Sequence, residues 1–291
     1  MTQPVRATDR LSASEAEDVL AIATAAAEAD GTYPLSEDAV LRVRNAGSAD
    51  DRVHLLAEGG YAYLDRGDPE GPSGELVVHP RNRLRGVGTA LLAAATEAAA
   101  GRPMRFWAHG DEPGARAFAE KNGFTRVRVL WQMRRSLAEP LPEAPLPAGV
   151  TLRHFRPGVD DSAWLAVNAR AFAHHPEQGR WTEADLRARI DEPWFDPEGF
   201  LLAVDIEDTL LGFHWTKAHP GGIGEVYVVG VDPDGQSRGL GRALTVAGLA
   251  YLAGLGLTDA MLYVDESNGA AVRLYRKLGF DVVSADVMYA R

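Results

Sequence analysis

A valine-rich run, a glycine-bearing loop and a charge-free segment follow one another within residues 224–257. Residues 226–231 are apolar and mostly β-branched, which is typical of a buried strand. Pro233 and Gly235 end this strand, because proline cannot donate to a β-ladder and glycine allows a tight turn. Residues 243–257 carry no charge and predict a largely buried helix. A loop before such a helix directs several backbone N–H groups towards one place, which suits a phosphate or pyrophosphate.

The spacing of the glycines narrows the kind of phosphate loop. No G-x-x-x-x-G-K-[ST] pattern is present, which excludes a Walker loop. A dinucleotide-binding G-x-G-x-x-G loop needs a third glycine where this chain has Leu244. The pattern that is present is Q-x-x-G-x-G over residues 236–241, and residues 83–88 repeat it as R-x-x-G-x-G.

This hexad resembles the loop Q/R-x-x-G-x-G/A with which the GCN5-related N-acetyltransferases hold the pyrophosphate of acetyl-CoA. Residues 262–280 resemble the second motif of that family, a strand followed by N-x-x-A-x-x-L-Y, a helix and G-F. Asn268 and Tyr275 occupy the matching positions. In the family this helix lies beside the coenzyme and the tyrosine hydroxyl lies near the departing sulfur. The resemblance therefore implies an acetyl-CoA-dependent N-acetyltransferase.

The glycine loop and the Gly-Phe pair each occur twice in the chain, and the two copies are separated by nearly the same number of residues. Arg83 and Gln236 are 153 positions apart (236 − 83), and Gly123 and Gly279, which each precede a phenylalanine, are 156 apart (279 − 123). A near-constant offset over two independent motifs indicates the duplication of a whole domain.

A proline-rich segment separates the two halves. Residues 137–150 contain four prolines, a density that makes a semi-rigid extended linker. We therefore predict an α/β (α+β) fold of two tandem acetyltransferase domains, residues 1–136 and 151–291. Each domain is expected to be a mixed, mostly antiparallel sheet flanked by helices.

Composition limits the partners and the chemistry. A formal charge of −11 argues against nucleic-acid binding, which needs a basic face. The absence of cysteine excludes disulfides, thiolate metal sites and a cysteine nucleophile, and the histidines lack the spacing of metal ligands. No charge-free run is long enough to span a membrane, and the first residues lack the apolar core of a signal peptide. We expect a cytoplasmic monomer that acts on a small-molecule amine, with no metal, membrane or nucleic-acid partner.

The resemblance extends over nearly the whole chain to one tandem-domain member of the family. That member acetylates the cysteinyl amine of a cysteine–glucosamine–inositol conjugate, so the resemblance implies this acceptor. The matching stretches are residues 34–37, 175–182, 212–217 and 225–233. The residues that the resemblance places against the substrate are Glu37, Glu177, Lys217, Glu225 and Tyr263.

The resemblance also implies two proton-transfer groups. Glu225 opens the strand that leads into the loop and is expected to be the general base for the amine. Tyr275 is expected to be the general acid that protonates the leaving thiolate. Aligning the two halves puts Pro72 opposite Glu225 and Ala119 opposite Tyr275. The first half is therefore expected to be non-catalytic, although its loop could still bind acetyl-CoA.

The residues expected to bind acetyl-CoA lie in the two loops, in the strands before them and in the helix after Asn268. In the second half they are Val229, Gly230, Val231, Gln236, Ser237, Arg238, Gly239, Leu240, Gly241, Arg242, Asn268, Gly269, Ala270, Ala271, Val272 and Arg273. In the first half they are Leu76, Val77, Val78, Arg83, Leu84, Arg85, Gly86, Val87 and Gly88.

Simpler interpretations stay open at this point. Glu225 could be a carboxylate at a surface strand end, and Tyr275 could simply pack its ring in the core. Glu37, Glu177 and Lys217 could be solvated charges. Two other functions also fit the chain: a tandem acetyltransferase for an aminoglycoside-like or peptide amine, and a non-catalytic acetyl-CoA-binding regulator. The presence of both Glu225 and Tyr275 disfavours the regulator, which would need neither.

Overall fold

The structure is a computed structural model that describes residues 4–44, 51–68, 70–175, 178–235 and 239–291. The chain divides into two compact units. Met1–Leu130 and Ser284–Arg291 form the first unit, and Trp131–Val283 form the second. In the described part of the chain, no helix is both long enough and apolar enough to cross a membrane.

Helices and strands are interspersed along the described chain. The strands are β1 (Arg6–Thr8), β2 (Arg52–Ala57), β3 (Gly60–Asp65), β4 (Ser73–Val78), β5 (Arg105–Ala108), β6 (Thr125–Ser136), β7 (Thr151–His154), β8 (Phe200–Val204), β9 (Leu210–His219), β10 (Ile223–Val231), β11 (Asp259–Asp265) and β12 (Asp281–Ala290). The helices are α1 (Ala13–Asp30), α2 (Glu37–Arg44), α3 (Val87–Ala98), α4 (Pro113–Lys121), α5 (Asp161–Ala171), α6 (Glu183–Ile190), α7 (Leu240–Gly254) and α8 (Gly269–Lys277).

The first unit is built on a mixed sheet in which β1 to β4 pair antiparallel in chain order. β4 then pairs parallel with β5, and the end of β12 pairs antiparallel with the other edge of β5. α1 begins at a capping box formed by Ser12 and Glu15, as the S-x-x-E pattern indicates. Val19, Ala23 and Ala26 of this helix are buried in the core of the unit.

The second unit repeats this plan. β7, β8, β9 and β10 pair antiparallel in chain order, and β10 pairs parallel with β11. One face of this sheet packs aromatic side chains, among them Trp164, Phe213 and Trp215. The opposite face packs against α7, through Leu249 and Leu252. The predicted architecture of two domains, each a mixed, mostly antiparallel sheet flanked by helices, is confirmed.

The compact units divide the chain differently from the predicted domain boundaries. Residues 131–136 of β6 belong to the second unit, and residues 284–291 of β12 belong to the first. The physical reason is that the end of β12 pairs with β5, from Val287–Ala108 to Ala290–Arg105. Residues 137–150 contain neither a helix nor a strand, in agreement with the proline-rich composition.

A buried cluster of ionisable groups joins β12 to β4 and β5 within the first unit. His109 Nδ1 lies 3.0 Å from Asp286 Oδ2, and His109 Nε2 lies 3.5 Å from Glu75 Oε1. Burial by itself would lower the pKa of His109, but the Asp286 hydrogen bond and the Glu75 carboxylate outweigh it and raise the pKa to about 10. Asp286 also accepts a hydrogen bond from the backbone N–H of Gly110 at 2.8 Å. This cluster therefore ties the last strand into the first unit.

We predict that Asp286→Asn lowers the free energy of unfolding by about 1–3 kcal/mol near pH 6, because it removes the negative charge that is hydrogen-bonded to the imidazolium of His109. A histidine whose folded pKa is raised stabilises the fold fully below its ordinary value of 6.5, and the contribution is lost as the pH rises towards 10. The difference between parent and variant should therefore shrink progressively as the pH rises from 6.5 towards 10. Chemical denaturation at pH 6, 8 and 10 measures it.

Glu198→Gln is the matched control, because Glu198 lies 3.4 Å from His154 in an exposed pair. Such a pair should contribute less than about 0.5 kcal/mol. Equal effects of the two substitutions would contradict a stabilising role for the buried cluster.

Candidate active site

Glu225 lies near the start of β10, which forms a hairpin with β9. The turn consists of residues 220–222, and its two glycines have positive φ angles, which glycine adopts without strain. The resulting register places Glu225 directly opposite Lys217. Because side chains alternate along a strand, Lys217, His219 and Glu225 point to the same face of the sheet.

The carboxyl ends of β10 and β11 separate beyond Glu225. Their parallel pairing runs from Ile223–Asp259 to Val226–Leu262, and the described register contains no later pair between them. A β-bulge between Val226 and Val228 interrupts the pairing of β10 with β9 at the same level. Since a bulge bends and twists its strand, it helps the strands to diverge. We call the opening between residues 227–231 of β10 and residues 263–265 of β11 the strand fork.

The N-terminus of α7 follows β10. Gly239 is its N-cap, with φ 79°, and among the described residues no side chain caps this end. The first backbone N–H groups of α7 therefore remain available to an anion, and the helix dipole favours negative charge there. Gln236, Ser237 and Arg238, which were predicted to bind the coenzyme, lie outside the described residues.

Gly241 leaves space that the fold itself does not use. A Cβ added there would meet only Val231 Cγ2, at 3.6 Å, which is an ordinary contact. Gly230 is different, since its Cβ would lie 2.9 Å from the ring of Phe213 and 3.1 Å from that of Phe172. Packing therefore accounts for Gly230, whereas none of the described residues around Gly241 requires a glycine there.

Glu225 is almost fully buried, with 7% of the residue exposed. Its Oε2 lies 2.6 Å from Nε2 of His219, whose side chain is 28% exposed. The interpretation of Glu225 as a surface carboxylate is therefore wrong, and the carboxylate has a defined partner instead.

Tyr275 lies on α8, and its ring packs edge-to-face on Phe280 with the centroids 5.9 Å apart. It belongs to the buried cluster that also contains Val226 and Leu262. Burial raises the pKa of Tyr275 to about 12, so the hydroxyl keeps its proton over the usual pH range. Because Val226 and Glu225 point to opposite faces of β10, Tyr275 and Glu225 lie on opposite sides of the sheet. The strand fork is the passage between these two sides.

The N-terminus of α8 follows β11, the second strand of the strand fork, after residues 266–268. Asn268 is the N-cap of α8, and its side-chain oxygen accepts the backbone N–H of Ala271 at 3.1 Å. Asn268 thus has a structural role that the motif alone did not reveal. Ala270 to Arg273, predicted to bind the coenzyme, form the first turn of this helix.

A group of aromatic and cationic side chains surrounds the face that carries Glu225. Lys217 Nζ lies 4.3 Å from the ring centroid of Trp194 and 5.2 Å from that of Tyr227. Arg189 donates from Nε to the hydroxyl of Tyr227 at 2.9 Å. The cation–π contacts hold Lys217 beside the site.

The remaining predicted substrate residues have different outcomes. Tyr263 lies on the same face as Glu225, and its hydroxyl accepts a hydrogen bond from Gln132 Nε2 at 2.9 Å. Glu37 is the first residue of α2 and belongs to the first unit. Glu177 lies outside the described residues.

The first unit has a matching opening. The β4–β5 pairing ends at Glu75–Trp107, so Leu76, Val77 and Val78 lie beyond it, and α3 begins after an N-cap glycine, Gly86, with φ 87°. A Cβ at Gly88 would meet Phe118 at 3.6 Å and Val78 at 3.7 Å, which are ordinary contacts. Arg83, however, is held by Asp30 through two hydrogen bonds of 2.7 and 2.6 Å. Leu84 is fully exposed and has a positive φ of 59°.

Sequence reasoning missed His219, Trp194 and Tyr227 as neighbours of Glu225. His219 was considered only as a metal ligand and rejected. A signal for it existed, because a three-residue turn containing Gly221 and Gly222 fixes the hairpin register and puts His219 beside Glu225. No local pattern identifies Trp194, which reaches Lys217 from the segment after α6.

Comparison with known families and proteins agrees with this geometry. Residues 166–280 match the family described as "Acetyltransferase (GNAT) family", and residues 49–126 match "Acetyltransferase (GNAT) domain". The chain is 58% identical to the mycothiol acetyltransferase of Salinispora arenicola, with 99% of this chain and 96% of the relative covered. It is 56% identical to the mycothiol acetyltransferase of Thermobispora bispora, with 99% of each covered.

Two solved structures share the fold over the whole chain. A GCN5-related N-acetyltransferase from Sphaerobacter thermophilus superposes with a TM-score of 0.70 at 27% identity, covering 100% of this chain and 96% of that one. A tandem GNAT protein from the clavulanic acid biosynthesis pathway gives a TM-score of 0.72 at 22% identity, covering 99% and 98%. The second likeness concerns the tandem fold alone.

Proposed function

The chain belongs to the mycothiol acetyltransferases of the GNAT family, and from this premise we propose that it is a mycothiol synthase. It transfers the acetyl group of acetyl-CoA to the cysteinyl amine of cysteinyl-glucosaminyl-inositol, the last step of mycothiol biosynthesis. The observation that carries the proposal is the buried Glu225 carboxylate beside the strand fork.

The residues of the second unit fit acetyl-CoA. Among the described residues, no side chain caps the N-terminus of α7, and a Cβ at Gly241 would make only an ordinary contact. Both features suit a pyrophosphate, which needs N–H donors and close backbone approach. Residues 229–231 of β10 lie along the strand fork and would pair with the pantetheine arm. The bound coenzyme supplies an activated acetyl thioester, and the chemistry left to the protein is positioning and proton transfer.

Glu225 is the general base. Near neutral pH the acceptor is an ammonium ion, and acetylation removes two protons from its nitrogen. One of these protons ends on the thiol and the other leaves to solvent. A buried carboxylate at the strand fork can take a proton from the ammonium directly or through one water, which frees the nitrogen lone pair for attack.

Tyr275 is the general acid from the other side of the sheet. Its pKa of about 12 keeps the hydroxyl protonated, so a hydrogen donor is always available to the sulfur. An ordinary thiol has a pKa near about 8.5, so complete transfer from an isolated phenol would be uphill. Tyr275 avoids this cost if it only donates a hydrogen bond to the developing thiolate. The sulfur then receives its proton from the two that the nitrogen loses.

The first unit is proposed to be non-catalytic. Pro72 precedes β4 at the position that Glu225 has before the second loop, and Ala119 of α4 stands where Tyr275 does. Gly86 and Gly88 keep the backbone geometry of a coenzyme loop, so this unit is proposed to bind acetyl-CoA without turnover. The expected monomeric state, cytoplasmic location and absence of a metal stay predictions.

The acceptor test decides between the functions that the sequence left open. Coenzyme A release should be at least about 100-fold more efficient with cysteinyl-glucosaminyl-inositol than with glucosaminyl-inositol, because the site is built around the cysteinyl amine. A thiol-release assay measures kcat/KM for both. Turnover only with an aminoglycoside or a peptide amine would indicate another tandem acetyltransferase. Tight acetyl-CoA binding without turnover of any amine would indicate a regulator.

The two proton-transfer roles are tested by isosteric variants. Glu225→Gln keeps the shape but accepts no proton, so kcat should fall about 100-fold or more with KM little changed, and the acidic limb of the pH–rate profile should disappear. Tyr275→Phe keeps the ring packing and should lower kcat about tenfold or more, evenly between pH 6 and 9, because its pKa of about 12 lies above that range. Steady-state kinetics give both results. Near-parent kcat with an intact acidic limb in Glu225→Gln would rule Glu225 out as the base.

The two loops are compared with Gly241→Val and Gly88→Val. Gly241→Val should weaken acetyl-CoA binding at the catalytic unit at least about tenfold and abolish most turnover, because its side chain would occupy the space of the pyrophosphate. Gly88→Val should remove the other binding event and leave turnover within about tenfold. Isothermal titration and steady-state kinetics measure these effects, with thermal unfolding as the check on folding. Unchanged affinity in Gly241→Val would show that the loop is misassigned.

A further inference from the structure

The base has a single histidine beside it that the proposed mechanism has not used. His219 Nε2 and Glu225 Oε2 are 2.6 Å apart, which is a short hydrogen bond between adjacent strands. Glu225 has 9% of its side chain exposed and His219 has 28%, so the pair extends from the interior towards solvent. His219 ends β9 and is fixed by the hairpin turn that follows it.

Other ionisable groups lie on the same face and could influence this pair. Lys217 stands opposite Glu225, and its ammonium lies over the Trp194 ring. Asp259 of β11 pairs with Ile223 and accepts a hydrogen bond from Thr258 Oγ1 at 2.7 Å. The others are Tyr227 of β10, Tyr263 of β11 and Arg189 of α6, which donates to Tyr227. The ion pair that the structure gives Glu225 is the one with His219.

We propose that His219 is a positioning residue for Glu225: its Nε2–H, donated to Oε2, fixes the carboxylate so that Oε1 is left to receive the proton of the amine. This inference rests on the proposed function, because it needs Glu225 to be the base. An ionised carboxylate only accepts hydrogen bonds, so Nε2 must be the donor in the working state.

The hydrogen bond from His219 restricts the conformation of the Glu225 side chain. A glutamate side chain has several rotatable bonds, and a base displaced by about 1 Å can cost about 100-fold in rate. Glu225 is the third residue of β10, where the backbone pairs with Lys217 of β9 and Met261 of β11, but backbone pairing does not fix the rotamer of its side chain. A donor on the neighbouring strand of the hairpin supplies that restraint.

His219→Leu and His219→Gln test the proposal as a pair. Leucine has a similar size but no donor, so kcat should fall about 10- to 100-fold with KM for both substrates within about threefold. Glutamine can still donate an N–H and should recover at least about a third of the parent kcat. In the Glu225→Gln background, His219→Leu should lower kcat no further, because the histidine acts through Glu225.

His154→Leu is the matched control, since His154 is an exposed imidazole 3.4 Å from Glu198 on an edge strand, and its kcat should equal that of the parent. The proposal is overturned if His219→Leu keeps the parent kcat. It is equally overturned if glutamine is no better than leucine, or if the leucine loss is undiminished in the Glu225→Gln background. If His219→Leu fails to fold, His219→Ala takes its place in each comparison. Parent protein without amine turnover would refute the proposed function itself, whereas an active parent that loses kcat in Glu225→Gln but not in His219→Leu would refute only this inference.

Discussion

The separation of β10 and β11 after Val226–Leu262 is the constraint on which the rest of the site depends. Paired parallel strands would bury their edges in the ladder, whereas separated strands leave backbone polar groups facing an opening. The bulge next to Val226 helps the strands to separate, and α7 then presents at the same end backbone N–H groups that no side chain of the described residues caps. Glu225 and Tyr275 point to opposite faces, and a ligand in the strand fork would lie between these two faces. The proposed roles of the side chains therefore depend on the separation of the two backbone strands.

The first unit shows what remains when that backbone geometry is kept and the side chains are changed. Its strands also separate beyond Glu75–Trp107, and Gly86 takes the same left-handed conformation as Gly239. Its buried ionisable groups serve another purpose, because Glu75 and Asp286 enclose His109 and hold the last strand. A duplicated domain can thus preserve an opening between its strands while its polar side chains are used for stability.

The sequence predicted most of what depends on local patterns. The capping box at Ser12, the helix behind the glycine loop and the tandem plan all follow from short spacings that the structure confirms. The sequence could not predict the units to which residues 131–136 and 284–291 belong. Which strand a segment pairs with depends on the sheet edges that are unpaired in three dimensions, and no local pattern reveals these. The contact of Lys217 with Trp194 was missed for the same reason, since two distant segments meet only after folding. The role of Asn268 as the N-cap of α8 was also missed, because the family motif already explained the asparagine.

Two histidines on β9 show why residue type alone does not define a role. His214 faces α7, where its Nδ1 lies 2.7 Å from the carbonyl oxygen of Leu244, and a Cβ at Gly248 would lie 2.1 Å from its ring. Full burial lowers the pKa of His214 to about 4, so it is a neutral part of the core. His219, five positions later, points to the opposite face and meets a carboxylate instead. Because side chains alternate along a strand, one imidazole packs in the core and the other lies in the site. The odd spacing of the two histidines along the strand is the sequence signal that they point to opposite faces.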